Sequence, residues 1–128
     1  PIRQHDQADE AEAPAFDKAA ALQIVEGDQT LLLEIIDIFL SSECPPLMSQ
    51  IRTAIEQGDA EGLHHAAHSL KGAVSNLGAS AAVAAAKQLE SIGREKDLAD
   101  AARAYESLEH ALVELKRELA AFQSESSS

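Results

Sequence analysis

Between residues 64 and 72 the chain reads HHAAHSLKG, and this stretch concentrates the side chains best able to do chemistry. Spacings of three and four put His64, His65, His68 and Lys71 together on one side of a helix, with Glu61, Gly72 and Ser75 on the same polar face. An imidazole with an ordinary pKa of about 6.5 is mostly neutral at neutral pH, so one ring nitrogen keeps a lone pair for attack on an electrophile. Lys71, one turn beyond His68, is placed to hold a phosphoryl group or another oxyanion beside that nitrogen without exchanging a proton. An exposed lysine–anion pair contributes only about 0–1 kcal/mol. Lys71 would therefore tune such a site rather than create it.

Two features separate this face from an ordinary solvated one. From Gly62 to Leu89 there are 28 residues without an Asp or Glu, with Lys71 and Lys87 as the charges. At the chain's average composition about 5 acids would fall in such a window. A surface kept free of anions suits a site that an anion visits. The second feature is Gly72, since glycine inside a helix costs roughly 1 kcal/mol relative to alanine, and this chain uses alanine freely. Bare backbone one turn after His68 leaves room for a bulky substituent or for close approach of another protein. Packing against a neighbouring helix is the plainer alternative.

The elements that must position these residues are helical. All four prolines fall at positions 1, 14, 45 and 46, two-residue alternation is hard to find, and β-branched or aromatic clusters are few. Phe16-Asp17 opens a short helix to about Val25, and Glu26-Gly27-Asp28 breaks it. A long apolar-rich helix starts at about Gln29, is expected to kink or break near Cys44 where Pro45 and Pro46 follow, and resumes through Ile51 and Ile55. Gly58 stops it and Asp59 caps the next, whose inward face carries Leu63, Ala66, Leu70, Ala73, Val74 and Leu77. Gly78 ends that helix. A fourth runs from Ser80 to about Ile92, where Gly93 is expected to stop it, and Asp97 caps a last one through Leu119. Short links favour antiparallel neighbours. The fold class is all-α, an antiparallel four-helix bundle with a short extra N-terminal helix. Residues 1–15 read as a linker or disordered arm, 16–122 as the bundle, and 123–128 as a disordered Ser-rich tail.

Composition bounds the function. At 128 residues, 45% hydrophobic and 25% charged, the chain is sized for one domain, and with 3% aromatics its core rests on Leu, Ile, Val and Ala. A net charge of −12 argues against a nucleic-acid partner and an anionic membrane surface. Cys44 is alone, so an intrachain disulfide and a Cys-rich zinc site are excluded. No apolar run approaches the roughly 20 residues of a membrane span. Because the chain opens on Pro1 rather than Met, a fragment of something longer is expected. His5 and His110 read as surface residues, Met48 and Tyr105 as packing residues, and Arg94 and Lys96 as solvated charges.

His64 to Ala79, HHAAHSLKGAVSNLGA, resembles the signature of the histidine-containing phosphotransfer (HPt) domain: Ala67-His68-Ser69-Leu70-Lys71-Gly72, followed six residues later by Gly78. Phe16-Asp17, Gly27-Asp28 and Leu89-Glu90 also stand where such domains carry them, so the resemblance covers roughly Phe16 to Phe122. It implies a bundle whose exposed histidine accepts a phosphoryl group from one receiver-domain aspartate and passes it to another. On that basis His68 is phosphorylated through Nε2, Lys71 neutralises the phosphoryl oxygens, Gly72 admits the receiver, and Glu90 holds Nδ1–H. His64, Ser75 and Lys87 are expected at the docking rim, together with a small apolar patch near Leu63. The module would be a phosphocarrier without kinase machinery, binding no cofactor of its own, with Mg²⁺ expected in the partner receiver. It would be a cytoplasmic monomer without direct membrane contact, expected as the C-terminal module of a hybrid sensor histidine kinase, with a free-standing protein as the alternative. Three other readings compete: a helical interaction module in which His68 has no chemistry, a degenerate domain that binds receivers without being phosphorylated, and a metal site on His64 and His68, which lacks a third ligand.

Overall fold

The computed structural model describes residues 15–127, and within them the protein is helical throughout, with no strand. The expected arm therefore lies outside the described residues except for Ala15, which is buried in the core. Helix α1 spans Lys18–Ile24 and α2 spans Gln29–Ile38. Asp17 and Asp28 cap them, their carboxylates accepting from the amides of Ala20 and Leu31 at 3.1 and 3.0 Å.

The two prolines do not break the second helix. Pro45 and Pro46 lack N–H groups, so the turns ending there lose two α-helical donors. The chain responds with a wide π-helical turn over Phe39–Glu43, in which the Cys44 amide reaches back to the Phe39 carbonyl. Helix α3, Cys44–Gln57, follows directly with the prolines in its first turn, where the missing donors cost least. From Gln29 to Gln57 the backbone is thus one long helix with a local widening.

Gly58 ends α3 in the left-handed conformation at φ 67°, and Asp59 caps helix α4, Ala60–Ser75. Gly78 (φ +62°) makes the turn into helix α5, Ser80–Glu95. Its carbonyl accepts from the Asp17 amide at 3.1 Å, and a Cβ there would meet the Asp17 carbonyl at 2.7 Å. That turn therefore pins α1 to the bundle. Asp97 caps a short 3₁₀ turn, Leu98–Asp100, that feeds helix α6, Ala101–Ser127.

Two boundaries differ from expectation. Helix α5 does not stop at Gly93; it runs through it to Glu95, and Lys96 is the left-handed cap at φ 60°. Helix α6 continues to Ser127, so the segment expected as a disordered tail from residue 123 is helical that far. Gln29 and Ser126 join there by a 2.9 Å side-chain hydrogen bond.

The core is aliphatic, as 3% aromatics requires. Leu32, Ile36, Phe39, Ile51, Leu63, Leu70, Leu77, Leu89, Leu108, Leu115 and Leu119 are fully buried. Each such side chain contributes about 1.5–3 kcal/mol when taken from water. Met48, Ala73, Val83, Ile92 and Tyr105 pack against this core while only partly buried. The buried residues of α4 and α5 include several small ones, Ala66 and Ala67 on the first and Ala82, Ala85 and Ala86 on the second. This pair of helices makes the most extensive helix contact in the molecule, and it carries the site.

Candidate functional site

Helix α4 turns its apolar stripe inward and leaves His68 on the outer edge, where its side chain keeps 64% exposure. Helix α5 presents Glu90 toward it. Glu90 is the buried charged residue of the described chain, with 8% side-chain exposure. A buried carboxylate must be paired to stay ionised, and Glu90 is paired twice. His68 Nδ1 donates to its Oε2 at 2.7 Å, and Lys71 Nζ donates to its Oε1 at 2.6 Å. The Lys71 hydrogen bond, more than any other influence, pulls the Glu90 carboxyl down to about 2; burial opposes it, and the His68 hydrogen bond assists.

The consequence for His68 is chemical. An ionised carboxylate only accepts, so the facing Nδ1 must carry the proton. In the neutral ring the lone pair then lies on Nε2, on the side turned away from Glu90. A single exposed imidazole is thereby fixed in rotamer and tautomer by a group that solvent hardly reaches.

Lys71 is brought to this cluster, but not as a free surface cation. Its ammonium is bound to Glu90, and its side chain is 27% exposed. Gly72 faces open space: a Cβ built there would meet nothing within 4 Å. The helix-packing alternative for this glycine is therefore wrong. Gly93, expected as a helix stop, instead packs helix against helix, since a Cβ there would lie 2.6 Å from the His64 nitrogen.

The expected docking residues are spread around this centre. His64 is half-buried, its Nδ1 donates to the Glu90 carbonyl at 3.2 Å, and its ring lies near-parallel to that of His68, 6.3 Å between centroids. Ser75 is exposed, its hydroxyl donating to the Lys71 carbonyl at 2.8 Å. Lys87 is exposed on α5, one turn before Glu90. Leu63 cannot form an apolar docking patch, because it is fully buried in the core. His65 faces solvent beside Glu61 at 3.8 Å. His110 is exposed, and His5 lies outside the described residues.

For a cation the arrangement is poor. The Nδ1 atoms of His64 and His68 are both committed to Glu90, and the Lys71 ammonium sits against the same carboxylate. Among the described residues no three His, Cys, Asp or Glu side chains group so as to hold a metal ion.

Comparison with known proteins follows the same lines. Residues 34–125 match the Hpt domain family. Histidine-containing phosphotransfer protein B (HptB) from Pseudomonas aeruginosa PAO1 superposes with a TM-score of 0.81 at 25% identity, covering 89% of this chain and 98% of that one. No curated protein sequence matches the chain.

Proposed function

The chain belongs to the Hpt domain family and serves histidine phosphotransfer in a phosphorelay; within that role we propose that His68 Nε2 is the atom that takes and gives the phosphoryl group. The observation that carries this reading is the His68–Glu90 hydrogen bond, 2.7 Å from an exposed ring to a buried carboxylate.

Transfer begins with a neutral His68 whose Nε2 lone pair meets the phosphorus of a receiver's aspartyl phosphate in line with the bond to be broken. The N–P bond forms, the P–O bond to aspartate breaks, and the aspartate leaves as a carboxylate. No proton has to move, because Nδ1–H stays where Glu90 holds it. The ring becomes cationic as the bond forms, and Glu90, already ionised, offsets that charge without reorganisation. Return of the phosphoryl group to a second receiver is the same step reversed. Lys71 sits one turn from the acceptor and shifts part of its hydrogen bonding from Glu90 to the arriving phosphoryl oxygens.

The partner is a receiver domain, which on this reading brings Mg²⁺ and its own acidic pocket. Gly72, with open space above it, is the point of closest approach, and His64, Ser75 and Lys87 form the rim. The domain acts as a phosphocarrier, with no kinase chemistry of its own, and works as a monomer in the cytoplasm. No helix of the described residues is long and apolar enough to cross a membrane. Phosphorus NMR of the phosphorylated chain tests the assignment: a phosphoramidate at Nε2 supports it, and one at Nδ1 or on any other residue overturns it.

A further inference from the structure

We infer that Gly93 and His64 are positioning residues for phosphotransfer, forming a spacer that holds α4 and α5 at the separation at which Glu90 reaches both His68 and Lys71. The inference rests on the reading that His68 carries the phosphoryl group.

Glu90 and Gly93 lie three residues apart on α5, and both are buried toward α4. His64 and His68 lie four apart on α4. The Gly93–His64 contact therefore sits one turn from the Glu90–His68 hydrogen bond on both helices. A Cβ at Gly93 would stand 2.6 Å from the His64 nitrogen, 2.8 Å from the Ala60 carbonyl oxygen and 2.9 Å from the His64 Cα. All three are main-chain atoms of α4, so no side-chain rotation relieves the contact. Restoring ordinary van der Waals spacing moves the helices apart by roughly 0.8 Å. Carried to the neighbouring turn, that displacement takes a 2.7 Å hydrogen bond beyond the usual range for N–H···O bonds.

His64 supplies the second half of the spacer. Its Nδ1 donates to the Glu90 main-chain carbonyl at 3.2 Å, tying α4 to the residue whose side chain serves His68. Its ring, 19° from parallel with that of His68, stands beside it on the same edge. Gly93 thus sets how near the helices come, and His64 fixes Glu90 along the axis. Neither touches the reacting atoms.

The test measures Gly93→Ala, with Leu115→Ala as a control that destabilises the core from α6. The His68 tautomer is read by nitrogen NMR on the free domain, and acceptance of phosphate is read with a phosphorylated receiver. The expected result is loss of the Nδ1–H preference and a fall in transfer rate on the order of tenfold or more in Gly93→Ala, with both retained in folded Leu115→Ala. A purely structural glycine would lower the melting temperature and leave the tautomer unchanged. Wild-type tautomer and rate in folded Gly93→Ala overturn the proposal. Should Gly93→Ala not fold, the tautomer measurement moves to His64→Ala, where a weakened Nδ1–H preference supports the spacer and an unchanged one overturns it. His68→Gln, run beside them, separates this question from the phosphotransfer reading itself: label on that variant removes the reading, whatever Gly93→Ala does.

Discussion

Glu90 and Lys71 are joined by a 2.6 Å hydrogen bond, so the lysine one turn from His68 already serves a buried carboxylate. The pair has two tasks. It holds Glu90 ionised where burial works against the charge, and it keeps a cation one turn from the His68 ring.

Lys71→Ala should expose this coupling. Removing one member of a buried ion pair costs about 3–5 kcal/mol, and Lys71's 27% exposure places the expectation at the lower end. Glu90 then keeps His68 as its remaining side-chain donor, and its pKa rises from about 2. Urea unfolding and a carbon-13 titration of the Glu90 carboxyl check both statements. Unchanged values in the two measurements would contradict the coupling.

Acid stability follows from the same shift. Glu90 titrates at about 2 in the folded chain against an ordinary 4.5, held down first by Lys71. A depressed carboxylate stabilises the fold fully above its unfolded value, and that contribution fades as pH falls from 4.5 through about 2. A shift of this size corresponds to about 3 kcal/mol. The stability difference between wild type and Glu90→Gln should be flat from neutral pH down to about 5 and shrink below that. A difference that stays constant down to about pH 2.5 would contradict the assignment.

Glu90→Gln also tests the tautomer. A carboxylate only accepts, whereas an amide can accept from Nδ1–H or donate to a bare Nδ1. The variant should populate both neutral tautomers of His68 and accept phosphate more slowly, by roughly tenfold. Nitrogen NMR of the imidazole reads the populations directly. A ring that keeps a single Nδ1–H tautomer would place its control elsewhere.

Gly72→Ala separates stability from function. Nothing lies within 4 Å of the added methyl, so alanine should gain about 1 kcal/mol of helix stability, raising the melting temperature by about 4 °C. The same methyl should impede receiver docking and slow transfer. A variant that is both more stable and equally fast would remove Gly72 from the interface.

Much of this arrangement could be read along the chain because single residues carried it. Asp17, Asp28 and Asp59 stand just before apolar periodic runs, and each caps the helix that follows. Gly58 and Gly78 end helices in left-handed turns, as their positions after α3 and α4 foretold. His68 lies where the polar face of α4 placed it, whereas Glu90 became a partner only through resemblance to a family. What stayed hidden depends on two segments at once. Gly72 and Gly93 look alike in sequence, yet one meets open space and the other meets the α4 backbone, which only the crossing of two helices decides. The Lys71–Glu90 bond is of the same kind. Pro45-Pro46 announced a disturbance, but its form depended on whether the preceding carbonyls could be satisfied by a wider turn. The polar end of α6 reads as a tail by composition, yet it continues a 27-residue helix already formed.

The most direct measurement is phosphotransfer from a phosphorylated receiver domain to wild type and to His68→Gln. Label should appear on wild type in an acid-labile, base-stable bond, and the folded variant should take none. Label on His68→Gln, or none on wild type from any receiver, would contradict the account.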